Sequence, residues 1–355
     1  MGQETYVWYS PATDVTGKKL MEALGASGGT AKPAAGKENV VCWGTKTDAA
    51  VLFGAATKLV LNHPDKIRVN RDKVNALTKL KQNQVSVAPY TENFKFAGTK
   101  DYPFPVVCRT KFHQGGAGFW LCLNEVHIAQ AVKEGANYLQ NYINIQDEYR
   151  LHVVKNKVIY AVRKVQRDNH AEAFVEHYGE LVTAKALKGA VNLDKNTMDF
   201  VLKKLAAKFA NGTDMIIRSN TRGWKFSRVA NENLNNTLVT EAVNAVKALG
   251  LDYAAVDCCL DTTGKAYVIE CNSGPGLDGN SFDSWVAAFK ELLAPPAAKK
   301  VAAAPVEQKI AAPKVAAKAV GGKAKLQEKL ALLAQLADLA DDDEAAVLHK
   351  LINKM

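Results

Sequence analysis

Residues 251–272 read LDYAAVDCCLDTTGKAYVIECN, and this stretch constrains the chain most. Two apolar runs, 253–260 and 267–272, flank Asp261-Thr-Thr-Gly-Lys265, whose glycine sits where a hairpin turn wants positive φ, so the spacing predicts two antiparallel strands. Strands apolar enough to be buried should not carry Asp257, Glu270 and Asn272 unless something stabilises them. If the loop is Thr262–Lys265, pairing Asp261 with Ala266 puts Asp257 opposite Glu270, and alternation puts Asn272 on the same face. Two carboxylates that close repel unless one is protonated or a cation lies between them. Three oxygen donors with no cysteine or histidine ligand nearby suit Mg²⁺ completed by waters and phosphate oxygens. A polar network at a strand end is the other reading, and a one-residue slip would carry Asp257 to the opposite face.

A second hairpin is predicted in FPVVCRTKFHQGGAGFWLCL, residues 104–123, with strands Val106–Cys108 and Phe119–Leu123 and the glycines at its tip. Neither a Walker loop nor a dinucleotide fingerprint has this context, since no helix follows the glycines. Two readings remain: a flap whose bare amides fold over phosphates, with Arg109 and Lys111 supplying charge, or a glycine turn with no ligand. Between them and the first hairpin, residues 139–165 divide into a strand through Tyr142 and the strands Tyr149–Val154 and Val158–Val165 around Lys155-Asn-Lys157. Glu148 then stands at a strand start, as an ordinary exposed acid or as an acceptor for hydroxyl groups.

The front of the chain alternates strand and helix: Tyr6–Tyr9, Thr16–Leu24, Val40–Trp43, Ala49–Phe53 and Leu59–Leu61, then a helix from Asp72 to Gln82. That order predicts a small α/β unit over a parallel sheet. All six cysteines lie singly or adjacent in apolar stretches without a C-x-x-C pair, which predicts buried free thiols and no zinc site. MGQETYVWYS lacks a basic-then-apolar leader, Tyr6 stands where myristoylation wants Ser or Thr, and the apolar runs are too short to span a bilayer; the expectation is a cytoplasmic protein with no membrane partner.

Residues 294–325 carry seven lysines against Glu307, which is +6, and residues 326–355 carry three lysines against six acids, which is −3. The total of +10 therefore leaves 10 − 6 + 3 = +7 on residues 1–293. An excess of that sign suits anionic substrates. The 294–325 stretch, almost all Ala, Lys, Pro and Val, reads as an extended linker, either a plain spacer or a basic tether for nucleic acid or an acidic partner. Leucines and alanines at helical spacing after Leu326, then Asp341-Asp-Asp-Glu344 before Val347, Leu348, Leu351 and Ile352, predict a helical hairpin over 326–355 that docks, self-associates or binds a partner.

A lysine-bearing helix, a glycine hairpin, a polar strand and a D…E-x-N strand pair, in this order, resemble the ATP-grasp superfamily. Within it they are most similar to the ribosomal-protein glutamate ligases and the related ATP-grasp proteins of tailed bacteriophages. The matching words are Arg71-Asp-Lys73 with Pro-Tyr-Thr at 89–91, VVCRTKFHQGGAG, EYRLHVV at 148–154, IRSNTRG at 217–223, and GLDYAAVD with VIECNSGPGL, spanning roughly residues 57–290.

The resemblance implies an α/β (α+β) ATP-grasp fold: an N-terminal α/β domain over 1–60, a catalytic domain over 61–293 whose two sheet-containing subdomains grip ATP, the 294–325 linker and the 326–355 hairpin. A helical insertion at about 168–210 exceeds what the glutamate ligases would have. It further implies that Lys73 reaches the nucleotide phosphates, that Arg109 stands in for a second phosphate-binding lysine, and that Gly115, Gly116 and Gly118 form the flap. Tyr142 and Ile143 match the hinge that reads adenine, where Asn141 replaces a common acid; Glu148 matches the ribose acid, and Lys164 falls in the cofactor set. Arg218 and Asn220 match the pair near the γ-phosphate and acyl group. Asp257, Glu270 and Asn272 match the Mg²⁺ triad, with Mn²⁺ as a substitute.

The implied activity is ATP-dependent ligation of a carboxylate to an amine through an acyl phosphate, with amino-acid, peptide or protein substrates. The alternatives are an ATP-grasp phosphotransferase and a non-catalytic ATP-binding protein that works through its basic tail. A phage origin would place it in the host cytoplasm.

Overall fold

The computed structural model describes residues 5–33, 36–113, 116–167, 217–220 and 224–294. The expected insertion over 168–210, the linker beyond Ala294, the hairpin over 326–355 and the flap residue Gly115 lie outside the described residues. By contact density the chain forms two compact units. The first is Met1–Val165 with Phe226–Lys300, and the second is Gln166–Lys225 with Val301–Met355.

In the first unit, β1 (Thr5–Tyr9), β2 (Ser27–Gly29), β3 (Asn39–Trp43) and β4 (Leu59–Leu61) make a parallel sheet in the order β2-β1-β3-β4. Helix α1 (Val15–Ala23) starts where the Asp14 carboxylate accepts the Gly17 amide at 2.8 Å. The helix expected over Ala49–Phe53 is absent, and the chain there is irregular. Five residues cannot offset the cost of nucleating a helix, and burying Val51 while Leu52 stays 83% exposed is met without one. A helix the sequence reading missed, α2 (Pro64–Arg71), has proline in its first turn, Asp65 at its positive end and Arg68 and Arg71 at its negative end. Next, α3 (Lys73–Gln82) is capped by Asp72, which accepts the Val74 and Asn75 amides at 3.0 and 3.1 Å.

The second sheet, in the order β5-β8-β6-β7, is antiparallel: β5 (Tyr90–Thr91), β6 (Val106–Arg109), β7 (Phe119–Cys122) and β8 (Tyr138–Asn141). Helix α4 (Glu125–Lys133) closes it by burying Ile128 and Ala131 against Val106, Cys108, Cys122 and Leu139. The third sheet runs β11-β10-β9-β12-β13, with β9 (Ile145–Val154), β10 (Lys157–Gln166), β11 (Trp224–Val229), β12 (Tyr253–Asp261) and β13 (Ala266–Asn272). Lys155 and Asn156 turn β9 into β10 with φ of 44° and 68°, the left-handed pair that a two-residue hairpin requires.

Helix α5 (Asn236–Ala248) lays Leu238, Ala242, Ala245 and Val246 on one face of the third sheet, against Leu151, Val153, Val256 and Cys258, in a core that also takes in Trp8, Val40 and Cys42. Helix α6 (Gly279–Leu293) brings Trp285 and Phe289 to Trp43 and Tyr253, with the Trp43 and Trp285 rings edge-on at 5.1 Å. These fully buried aromatic side chains each stabilise the unit by about 1.5–3 kcal/mol through area alone, which binds the parallel sheet to the third sheet. All six cysteines are buried free thiols. Among the described residues no helix is long and apolar enough to cross a membrane.

Candidate active site

The β12–β13 hairpin brings Asp257 opposite Glu270, but by a different route from the expected one. Ala266 pairs with Leu260 rather than Asp261, so the strands start one residue out of the expected register. A bulge then inserts Ile269 between the Cys258–Val268 and Asp257–Glu270 pairs and returns the two acids to facing positions.

On its other side β12 pairs with β9, which sets Arg150 opposite Asp257. The guanidinium binds the carboxylate through both oxygens, Nε to Oδ1 at 2.7 Å and Nη2 to Oδ2 at 2.9 Å. From β10, Lys164 pairs with Glu148 and approaches Asp257 Oδ2 at 3.7 Å. Phe226 lies beneath this ladder, its ring centroid 5.4 Å from the Arg150 guanidinium and 5.7 Å from the Lys164 ammonium. Glu148, Lys164 and Asp257 are all buried.

Glu270 has its own partners. Lys73 Nζ stands 3.2 Å from Oε2, and Asn272 Nδ2 donates to Oε1 at 3.2 Å. Lys73 is the first residue of α3, and its own amide donates to the Lys111 carbonyl at 3.0 Å, so the root of the glycine hairpin and the start of the lysine helix are one hydrogen-bonded piece. A cavity of ≈ 10 Å³, room for about one water, lies among Lys73, Arg109, Tyr138 and Glu270. Arg109, at the end of β6, is buried, and its Nε has no hydrogen-bond partner among the described residues. Gly118 needs to be glycine: φ is +57°, and a Cβ would stand 2.2 Å from the Thr110 hydroxyl.

The charges shift one another. Burial by itself would raise the Asp257 carboxyl, but Arg150 and Lys164 outweigh it and hold it below the ordinary carboxylate range. The same contest at Glu270 is won by Lys73 and Arg109, with Asn272 assisting, and its carboxyl is also held low. Burial pulls the Lys164 ammonium down, yet Asp257 and Glu148 leave it raised. Asp257 and Glu270 are therefore carboxylates, and Lys164 is an ammonium, at neutral pH. Four cations, Lys73, Arg109, Arg150 and Lys164, stand against three carboxylates, Glu148, Asp257 and Glu270, which is 4 − 3 = +1.

This balance bears on a metal. The donor set of Asp257, Glu270 and Asn272 has the hard oxygens that Mg²⁺ prefers. Its carboxylates are held by Lys73 and Arg150, in surroundings with a net positive charge. Such a site fits a divalent ion accompanied by polyphosphate, which draws the cations to itself, better than a bare ion. Among the described residues no group of three or more His, Cys, Asp or Glu side chains is arranged to hold a metal.

Of the other expected residues, Lys111 pairs through its ammonium with Glu92 at 2.5 Å. Tyr142 and Ile143 lie, half-buried, in the short connection between β8 and β9. Gly116, with φ of 78°, follows the undescribed residues 114–115. Arg218 and Asn220 belong to the second unit, where Arg218 lies over the Trp224 ring at 4.8 Å and Asn220 accepts from Arg167. Two participants escaped the sequence reading, Arg150 and His113. Arg150 was legible: Glu148, Arg150 and His152 alternate along one face of β9. His113, which touches Arg109, gave no signal beyond its place beside the glycines.

The three sheets in this order make the ATP-grasp fold. The chain is similar to the structure of the ATP-grasp ligase PsnB complexed with a minimal precursor, at 13% identity over 81% of this chain and 100% of that one, with a TM-score of 0.50. It is also similar to PsnB complexed with minimal precursor, Mg and ADP, at 14% identity, 80% and 97% coverage and a TM-score of 0.50. A third similar structure is N5-carboxyaminoimidazole synthetase from Staphylococcus aureus complexed with ADP, at 12% identity, 81% and 77% coverage and a TM-score of 0.50. No family model and no curated protein matches the sequence.

Proposed function

We propose that this protein is an ATP-dependent ligase that joins a carboxylate to an amine through an acyl phosphate. The observation that carries the reading is the ladder of facing charges, Lys73 on Glu270 and Arg150 with Lys164 on Asp257, beside the buried Arg109, in an ATP-grasp fold. ADP in two of the similar structures and Mg in one of them support the choice of nucleotide and metal. The precursor bound by PsnB supports an acceptor or donor larger than a free amino acid.

On this reading Lys73, Arg109 and Lys111 bind the phosphates, the amides of Gly115, Gly116 and Gly118 cover them, the backbone at Tyr142 and Ile143 reads adenine, and Glu148, held by Lys164, accepts from the ribose. Asp257, Glu270 and Asn272 would hold Mg²⁺, with Mn²⁺ as a substitute. When bound, the ion neutralises charge on the phosphoryl oxygens. Arg218 and Asn220 orient the acyl group.

The terminal phosphoryl group moves from ATP to a carboxylate oxygen, and ADP leaves. The amine nitrogen then attacks the acyl carbon, the tetrahedral intermediate expels phosphate, and the nitrogen releases its proton to solvent. The cations lower the barrier chiefly by fixing the phosphoryl oxygens and stabilising their charge, a task that needs no general base.

The test is a screen of acid and amine pools for release of ADP and phosphate, with products read by mass spectrometry. An amide formed with equal ADP and phosphate supports the proposal. ADP without phosphate, together with a phosphorylated product, would replace the ligase with a phosphotransferase.

A further inference from the structure

The four cations of the site are not held alike. Lys73 pairs with Glu270, Lys164 with Glu148, and Arg150 with Asp257, each a carboxylate. Arg109 instead donates through Nη2 to His113 Nε2, and among the described residues it has no carboxylate partner. The tautomer follows from geometry. His113 Nδ1 lies 2.7 Å from the Thr110 carbonyl oxygen, which can only accept, so Nδ1 carries the proton and Nε2 presents its lone pair to Arg109. Phe119 supports the guanidinium from below, its ring centroid 5.2 Å from Cζ. The unmatched Nε completes the picture of a buried cation gripped on two sides with a donor still to satisfy.

We propose that His113 is the positioning residue for Arg109: a neutral acceptor that fixes the guanidinium for a nucleotide phosphate without cancelling its charge. A carboxylate in this place would orient Arg109 equally well but would compete with the incoming anion. The surplus positive charge of the site therefore rests on the one cation whose partner is uncharged. Burial first, and then Arg109 and Lys73, push the His113 imidazole down to about 4, in keeping with a ring that stays neutral in this setting. This inference rests on the reading of Arg109 as a phosphate-binding residue.

The experiment measures the affinity of the full-length protein for Mg²⁺ with a non-hydrolysable ATP analogue, by calorimetry. Arg109→Ala, His113→Ala, His113→Asn, His113→Gln and the Arg109→Ala/His113→Ala double variant are compared. A hydrogen bond to a charged group predicts that His113→Ala and His113→Asn weaken binding about tenfold. Gln extends an amide as far as Nε2 and should restore most of the loss, whereas Asn reaches only the Nδ1 position. The double variant should bind no worse than Arg109→Ala, because His113 acts only through that arginine. If Arg109→Ala weakens binding but His113→Ala and His113→Asn do not, the role of His113 falls and the phosphate site stands. If Arg109→Ala binds like the parent, both fall. A His113 loss that adds in full to that of Arg109→Ala also overturns the proposal. Should His113→Ala fail to fold, the Asn and Gln variants decide the question between them.

Discussion

Arg150 and Asp257 form a two-point ion pair across neighbouring strands, with Asp257 buried and Arg150 resting on Phe226. Desolvation of the carboxylate is offset only while the guanidinium is present, so the pair behaves as one unit. Arg150→Met should destabilise the protein by about 3–5 kcal/mol in denaturant unfolding, since it leaves a buried charge with only Lys164 nearby. Adding Asp257→Asn should recover a large part of that loss. Simple additivity of the two variants would show that they are not coupled.

Glu270 belongs to the oxygen set proposed to hold Mg²⁺. Because the surroundings carry a net positive charge, Mg²⁺ alone should leave the melting temperature unchanged, while Mg²⁺ with a non-hydrolysable ATP analogue should raise it. Glu270→Gln should abolish the Mg²⁺-dependent part of the rise. An unchanged shift in that variant would remove Glu270 from the metal set.

The turn after β13 tests packing. A Cβ on Gly274 would stand 2.8 Å from both the Cα and the amide nitrogen of Gly44, backbone atoms that cannot rotate away. Gly274→Ala should cost about 1–3 kcal/mol. Gly276, two residues on, has open space where its Cβ would be, and its alanine variant should stay within about 0.5 kcal/mol of the parent. Equal effects at the two positions would mean that the Gly44 contact does not constrain the turn.

Acid should weaken the fold in a window set by histidine. His152 Nδ1 accepts from Trp285 Nε1 at 2.8 Å in a buried setting, and burial, with Arg150 adding to it, lowers the imidazole to about 3. An unfolded histidine titrates near its ordinary value of 6.5. Between these values the unfolded chain binds more protons than the folded one. Stability is therefore full above about pH 6.5 and falls with decreasing pH, by about 1.4 kcal/mol per pH unit for one fully titrating histidine. His113, lowered to about 4, acts in the same direction. The lowered carboxyls of Asp257 and Glu270 add their losses only below the ordinary carboxylate range. His152→Gln, followed by denaturant unfolding from pH 7 to 4.5, should give a shallower slope even if it is less stable at pH 7. An identical slope would rule out His152 as a source of the acid sensitivity.

Much of the fold could be read locally. Runs such as TYVWY and NVVCW form strands because β-branched and aromatic side chains suit a buried sheet, and Asp72 starts a helix because its carboxylate satisfies free amides. Local reading failed where length or context decided. Ala49–Phe53 has helical composition but too few residues, and α2 was hidden by its charge although His63-Pro-Asp65 is a start signal.

The sequence by itself determined which side chains could do chemistry: Asp257, Glu270 and Asn272 stand in strands too apolar for them, and Lys73, Arg109 and the glycines stand at element ends where strands and helices release the chain. Only the tertiary structure decided who faces whom. The Ile269 bulge reset the register so that Asp257 meets Glu270, the pairing with β9 supplied Arg150, and the return of the glycine hairpin put His113 on Arg109. Bulges, strand partners and loop returns depend on contacts far apart in sequence, and those contacts exist only once the sheets have packed.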